Sequence, residues 1–205
     1  SNDLYQILEE NDVNISPNHF LDSISKVKSL KIKEISLNKE FDLNGIQCFT
    51  YLNYLELEGK SIKDIQPLAN LERLETLIIN NTRVFNLEPL NNMKKLKNLT
   101  ITNTKTLQSL SGIENFKRLE YVDLSNNSIL DISPLTKLEN LKEINLNKNK
   151  ITDITALRTL PELTVLRVEN NLIDFNDVTK VDGFNKLNEL YMKSNNICKT
   201  EALST

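Results

Sequence analysis

One phrase, L-x-x-[LIV]-x-[LIVM], recurs seven times along this chain and limits what it can fold into more than any other feature. It opens at Leu52, Leu74, Leu96, Leu119, Leu141, Leu163 and Leu187, with gaps of 22, 22, 23, 22, 22 and 24 residues. The last two apolar positions of each copy are separated by one residue, usually polar, as in Val122-x-Leu124 and Ile144-x-Leu146. Alternation of period two marks a half-buried strand. A single unit of this length cannot bury its own apolar face, so neighbouring units must stack and share one core.

Two further signals keep the same phase. The ninth position holds Asn127, Asn149, Asn171 and Asn195, with Thr82 and Thr104 in earlier copies and Lys60 in the first full one. An I-x-x-I-x-P-L-x-x-L element follows, clearest at Ile62, Ile65, Pro67, Leu68 and Leu71, and again at Ile129, Ile132, Pro134, Leu135 and Leu138. A degenerate earlier copy is expected at Ile32, Ile35 and Leu37, with a shortened tail through Ile46 and Phe49. Val122, Leu124, Ile129, Ile132, Leu135 and Leu138 are expected to point inward. The ninth-position amides are expected to bond backbone groups that the turn after the strand leaves unpaired, each in register with the next.

Composition removes several function classes. Of 205 residues, 34 are Leu and 29 Asn, whereas Gly numbers 4 and His 1. Gly45, Gly59, Gly112 and Gly183 are too dispersed for a phosphate-cradling loop. The lone His19 argues against zinc clusters and Ser-His-Asp chemistry. A formal charge of -3 implies no general attraction to nucleic acid. No apolar run reaches the roughly 18 residues of a membrane span. Asp64, Asp131 and Asp153 recur at one repeat position, which makes them loop-structuring residues. No catalytic residue, metal ligand set or cofactor is expected, and the chain reads as a non-enzyme.

The repeat resembles the leucine-rich repeat, and most of all the 22-residue subclass shared by bacterial internalins and SDS22-like phosphatase regulators. The resemblance spans roughly Ile32 to Leu203. It implies an α/β leucine-rich-repeat solenoid, with a curved parallel β-sheet on the concave face and short 3-10 or irregular segments on the convex face. It also implies a helical N-terminal cap over residues 1–30, ahead of about seven to eight repeats over 31–205. In the cap, Asn2 would start a helix presenting Leu4, Ile7 and Leu8. Ser16-Pro17 would start a second, presenting Phe20, Leu21, Ile24 and Val27. The internalin cap resembles an EF-hand, but Asp12-Val13-Asn14 lacks the central Gly and closing Glu of a calcium loop. The last repeat is expected to be incomplete, because Ile197 and Leu203 match Ile62 and Leu68 and the next apolar position is missing. The terminal capping motif usual in SDS22-like proteins is not found.

Positions three, five and seven of each phrase should project from the concave sheet. Among them Tyr54, Ile78, Tyr121, Asp123, Val165, Arg167 and Tyr191 are the candidate partner-binding residues. Exposed Tyr and Arg dominate interface energetics, although Arg167 and Tyr191, at equivalent positions of adjacent strands, could instead stack on each other. Glu34, Glu56 and Glu58 should make the N-terminal end of that face acidic. Lys94, Lys95 and Lys97 read as a solvated convex edge. The expected function is recognition of a protein partner by a monomer, with no nucleic acid and no membrane insertion. The resemblance to internalins implies an extracellular or cell-surface bacterial location. The alternatives are a cytoplasmic SDS22-like regulatory subunit and the targeting domain of a larger effector. Of the N-x-[ST] sequons at Asn14, Asn80, Asn98 and Asn126, Asn80 and Asn98 face the sheet, where glycans would block it.

Cys48 and Cys198 lie in the first and last repeats, about 30 Å apart at seven strand spacings. A disulfide needs Cα atoms within about 7 Å. Denatured, unreduced protein should therefore titrate both thiols of each chain with a thiol reagent. Titration of neither in a monomeric species would mean that the repeat spacing is wrong.

Overall fold

Alternating apolar and polar side chains carry each repeat phrase into a short strand. In the computed structural model, which describes Leu8 and residues 24–33, 40–174 and 182–196, these strands are β1 (Ser29–Lys33), β2 (Tyr54–Glu58), β3 (Thr76–Asn80), β4 (Asn98–Thr102), β5 (Tyr121–Asp123), β6 (Glu143–Asn145), β7 (Val165–Arg167) and β8 (Glu189–Tyr191). They form one eight-stranded sheet in sequence order. Every neighbouring pair is parallel. The register aligns Leu30, Leu55, Leu77, Leu99, Val122, Ile144, Leu166 and Leu190 in one row across the sheet. All of them are buried except Leu190, which is partly buried against the same core.

The chain returns through short 3-10 turns at Ile46–Cys48, Gln66–Asn70, Glu88–Leu90, Ile113–Asn115, Ser133–Lys137 and Thr155–Thr159. Each drives one apolar side chain into the core: Ile46, Leu68, Leu90, Ile113, Leu135 and Leu157. Pro67, Pro89 and Pro134 sit in the first positions of their turns, where a missing N–H costs no intrahelical bond. Asp64, Asp131 and Asp153 set up the approach. Their Oδ1 atoms accept the backbone N–H of Gln66, Ser133 and Thr155, each at 2.8 Å. These are Asx turns, in which a side chain stands in for a backbone acceptor. In another turn Ser109 takes the place of the Asp, its Oγ accepting the Ser111 N–H at 3.2 Å, and Gly112 follows at φ 99. A Cβ there would come within 2.9 Å of the Asn91 Oδ1 side-chain atom, and the positive φ is what requires glycine.

The core is one continuous cluster, and the six side chains expected to point inward all belong to it. Leu8 and Ile24 join it at the N-terminal end, with Val27 packed against it. The remaining features expected ahead of the repeats lie outside the described residues: Asn2, Leu4, Ile7, Asp12 to Asn14, Ser16, Pro17, His19, Phe20 and Leu21. So do Cys198 and Leu203. Cys48 is a free, exposed thiol.

The expected register of the earliest copy is displaced. Leu30 and Ile32 lie beside Leu55 and Leu57, so Ile32 is the last apolar residue of its phrase and not the first. Ile35 and Leu37 lie outside the described residues. Val27 then stands where later phrases have their leading Leu, 25 residues before Leu52. The tail through Ile46 and Phe49 packs as expected, both side chains being fully buried. The extra residue in the fourth repeat is absorbed between Thr104 and Leu107, beyond the strand. Leu99 therefore still pairs with Val122, and the Ser128 N–H reaches the Leu107 carbonyl as the Lys150 N–H reaches that of Ile129.

Two devices turn the corner after each strand. The first is the buried ninth-position amide. Asn149 Oδ1 accepts the Ile129 N–H at 3.1 Å, while its Nδ2 donates to the carbonyls of Leu124 at 2.9 Å and Leu146 at 3.1 Å. Asn171 repeats the pattern on the Ile151 N–H and the Leu146 and Val168 carbonyls. Asn195 makes the equivalent bonds. Asn127 does so through its Nδ2, but its Oδ1 accepts the Thr104 N–H instead. Farther back the hydroxyls of Thr82 and Thr104 face each other at 3.2 Å, and Thr104 Oγ1 also donates to the Thr102 carbonyl.

The second device is a left-handed residue at position eight. Asn81, Asn103, Asn126, Lys148, Asn170 and Ser194 have φ between 53 and 58. This turns their N–H toward the next strand end. Asn126, for example, donates to the Asn147 carbonyl and Lys148 to that of Glu169, both at 2.8 Å. Asparagine tolerates this region better than other residues with a side chain, which explains the Asn-Asn doublets at 80–81, 126–127 and 170–171.

Asn149→Ala should lower stability by about 1–3 kcal/mol, because it leaves buried backbone groups unpaired, whereas Lys60→Ala at the equivalent exposed position should cost little. Equal shifts of melting temperature for the two would refute a structural role for the amide row. Lys148→Asn should raise stability by up to about 1 kcal/mol, because a side chain in the left-handed region costs roughly 1–2 kcal/mol and Asn recovers part of that. Lys150→Asn controls for the lost charge, and an equal change in urea midpoint would exclude a backbone origin.

Candidate partner-binding face

Core residues flank every outward side chain of the sheet, so the outward positions form fixed rows. One row runs Tyr54, Thr76, Asn98, Tyr121, Glu143, Val165 and Glu189. The next runs Glu56, Ile78, Thr100, Asp123, Asn145, Arg167 and Tyr191. All seven candidate residues therefore lie on one face. They fall into two groups. Tyr54 and Ile78 are on β2 and β3, while Tyr121, Asp123, Val165, Arg167 and Tyr191 are on β5 to β8. Asn98, Thr100 and Thr102 of β4 separate them with small polar groups.

In the C-terminal group four of the five side chains, those of Tyr121, Asp123, Arg167 and Tyr191, are held by a neighbour. The Arg167 guanidinium lies 5.1 Å from the centroid of the Tyr191 ring, so these two residues do stack. It also lies 3.6 Å from Glu143 Oε2 on the preceding strand. Tyr191 OH donates to Glu189 Oε2 at 2.8 Å. Asp123 accepts Asn145 Nδ2 at 2.9 Å and lies 3.5 Å from Tyr121 OH. Tyr191 is nevertheless 42% exposed, and Val165 is half-buried between Glu143 and Glu189. Such a surface combines ring and methyl area with groups already fixed in place.

The phenols are held neutral. Burial is the main cause that pushes the Tyr54 and Tyr121 pKa above the ordinary tyrosine value, with the adjacent carboxylates adding to it. For Tyr191 the hydrogen bond to Glu189 is the main cause of the rise. All three stay protonated donors across the physiological range.

The N-terminal end of the face is not the acidic patch expected from Glu34, Glu56 and Glu58. Lys31 Nζ lies 3.0 Å from Glu56 Oε2 and Lys33 Nζ 3.5 Å from Glu58 Oε2. The hydrogen bond from Lys31 holds the Glu56 carboxyl below the usual carboxylate range. The reason is the displaced first register, which puts two lysines of β1 directly beside these glutamates. Glu34 lies outside the described residues. The partners Lys31, Glu143 and Glu189 are members of this site that residue type alone did not single out. The available signal was opposite charge at one repeat spacing, as in Lys31 and Glu56 or Glu143 and Arg167. Lys97, expected as part of a solvated edge, pairs with Glu75 at 2.9 Å, while Lys94 and Lys95 are exposed.

Among the described residues no group of His, Cys, Asp and Glu is arranged to hold a metal ion. No described helix is long and apolar enough to cross a membrane.

A family described as Leucine Rich repeats (2 copies) matches residues 117–159 and 139–180. Among solved structures, internalin C2 from Listeria monocytogenes aligns with a TM-score of 0.68 at 22% identity, covering 84% of each chain. A leucine-rich-repeat protein of Leptospira interrogans aligns with a TM-score of 0.63 at 21% identity, over 88% of this chain and 52% of the other. The chain thus spans about half the length of the Leptospira protein. No curated protein matches in sequence. The chain has the leucine-rich-repeat fold, and its turns between residues 117 and 180 carry the repeat signature itself.

Proposed function

We propose that this chain is a non-enzymatic recognition module that binds a protein partner, as a monomer, on the concave sheet face between β5 and β8. The observation that carries the proposal is the half-exposed group of Tyr121, Val165, Arg167 and Tyr191, in which Tyr121, Arg167 and Tyr191 are tethered to neighbouring side chains. Side chains fixed before contact lose little entropy on binding, and Tyr and Arg are the commonest anchors of protein interfaces. Tyr121 and Tyr191 stand three strands apart, about 14 Å at the strand spacing, which suits one helix or loop of a partner. The fold shared with internalin C2 and the Leptospira protein supports a place for this module at a bacterial surface or in its secretions. Tyr54 and Ile78 extend the same face as a secondary contact.

Tyr121→Ala and Tyr191→Ala should each weaken binding of an isolated partner by about 1–3 kcal/mol, with melting temperature little changed. Lys94→Ala and Lys95→Ala should leave that affinity unaltered. Titration calorimetry of the four variants decides the matter: loss confined to the lysine variants would move the site off the sheet face.

A further inference from the structure

The edge of the solenoid where the chain leaves the strands has a charge pattern opposite to that of the molecule. Positions eight to ten of the seven phrases hold Lys60, Arg83, Lys105, Lys148 and Lys150, and no Asp or Glu. The chain as a whole carries a formal charge of -3. All five cations are exposed, and among the described residues none is in an ion pair. Lys94, Lys95 and Lys137 are likewise in no ion pair among the described residues, whereas Lys97, Lys142 and Lys186 each meet a glutamate of the preceding repeat. What sets the strand-end edge apart is that its repeat positions hold no acidic residue. The segregation therefore follows repeat position.

Three of these cations, Lys60, Arg83 and Lys105, line a groove of about 580 Å³ that also includes Asn81, Asn103 and Glu58. Glu58, a carboxylate in that groove, is engaged by Lys33 and by Asn80 Nδ2. The three cations stand in consecutive turns, so they span about 10 Å at the strand spacing. That is the reach of about three or four residues of extended chain. The Asn amides between them offer donors and acceptors suited to peptide groups. No aromatic side chain occupies positions eight to ten, so the edge lacks the stacking platform that single-stranded nucleic acid binding uses.

From this juxtaposition we infer that the strand-end groove at Lys60, Arg83 and Lys105 is a second binding site, taking an extended acidic peptide segment rich in Asp or Glu. This goes beyond the sheet-face reading and stands without it. Unpaired charges of one sign would also steer an acidic partner to this edge, with a rate that falls as salt rises.

The test is fluorescence anisotropy with labelled octa-glutamate, at low and at physiological salt. The wild-type chain should bind this peptide in a salt-sensitive way. Combined Lys60→Ser, Arg83→Ser and Lys105→Ser should weaken it about tenfold. The charge-matched Lys94→Ser, Lys95→Ser and Lys137→Ser should change it less than about threefold. Both sets replace exposed side chains, and equal melting temperatures would show that folding is intact. Tyr121→Ala with Tyr191→Ala should leave octa-glutamate binding unchanged, so failure here is distinguishable from failure of the sheet-face site. An equal loss in the two charge-matched sets, no salt-sensitive binding of the peptide, or tighter binding of an octathymidylate strand would each overturn the assignment.

Discussion

Parallel strands joined by so short a return path force the chain round two sharp corners for each strand, and each corner points backbone groups away from water. An unpaired buried donor or acceptor costs about 1–3 kcal/mol, and here the debt would recur at every turn. The ninth-position amides remove it. Asn149 alone satisfies the Ile129 N–H and two strand-end carbonyls. One of those carbonyls, that of Leu124, belongs to the preceding strand end, so the same amide closes its own corner and joins two repeats. Eight of the 29 Asn serve this geometry, four as ninth-position amides and four as the left-handed residue just before that position.

The corners also decide what the sheet face can be. Because each turn is held in register with the next, outward side chains line up in straight rows with partners one repeat away. Glu143, Arg167 and Tyr191 occupy three successive strands and interact in sequence: ion pair, then ring stacking, then a phenol donating to Glu189. Glu143 and Glu189 belong to one row and Arg167 and Tyr191 to the next, so the two rows brace each other into one fixed surface. A partner meeting it finds hydrogen bonds already made and mainly ring faces and methyl groups left to cover.

Much of this was readable from residue spacing. From Leu52 onward the leading Leu fixes the phase, and the alternation that follows assigns each residue to core or face. Phase was lost at the start of the repeats because two overlapping phrases compete there: Val27-x-x-Leu30-x-Ile32 and Ile32-x-x-Ile35-x-Leu37. The second begins with the longer apolar side chain and looks better in isolation. The first is the one paired in the structure, aligning Leu30 with Leu55 and Lys31 with Glu56. Ion pairing across a repeat depends on that alignment, which is why the N-terminal glutamates read as an unbalanced acidic patch. The role of position eight escaped notice for another reason. Left-handed backbone has no hydrophobic periodicity, and an Asn beside another Asn disguises which of the two turns the chain. Among the sheet-face residues, type and direction were legible, but the tethers of Arg167 and Tyr191 to neighbouring carboxylates depend on rotamers that spacing does not set.

The fourth repeat is where the regularity changes. Between Thr104 and Leu107 it carries an extra residue, and across the same corner the hydroxyl pair of Thr82 and Thr104 gives way to the amide of Asn127. In a stack where each unit touches only its neighbours, stability is a sum of repeat and joint contributions, and this joint is where two kinds of corner meet. The solenoid is therefore divisible there into two blocks of different construction. One, closed by hydroxyls and by longer strands, carries Lys60, Arg83 and Lys105. The other, closed by amides, carries Tyr121, Val165, Arg167 and Tyr191.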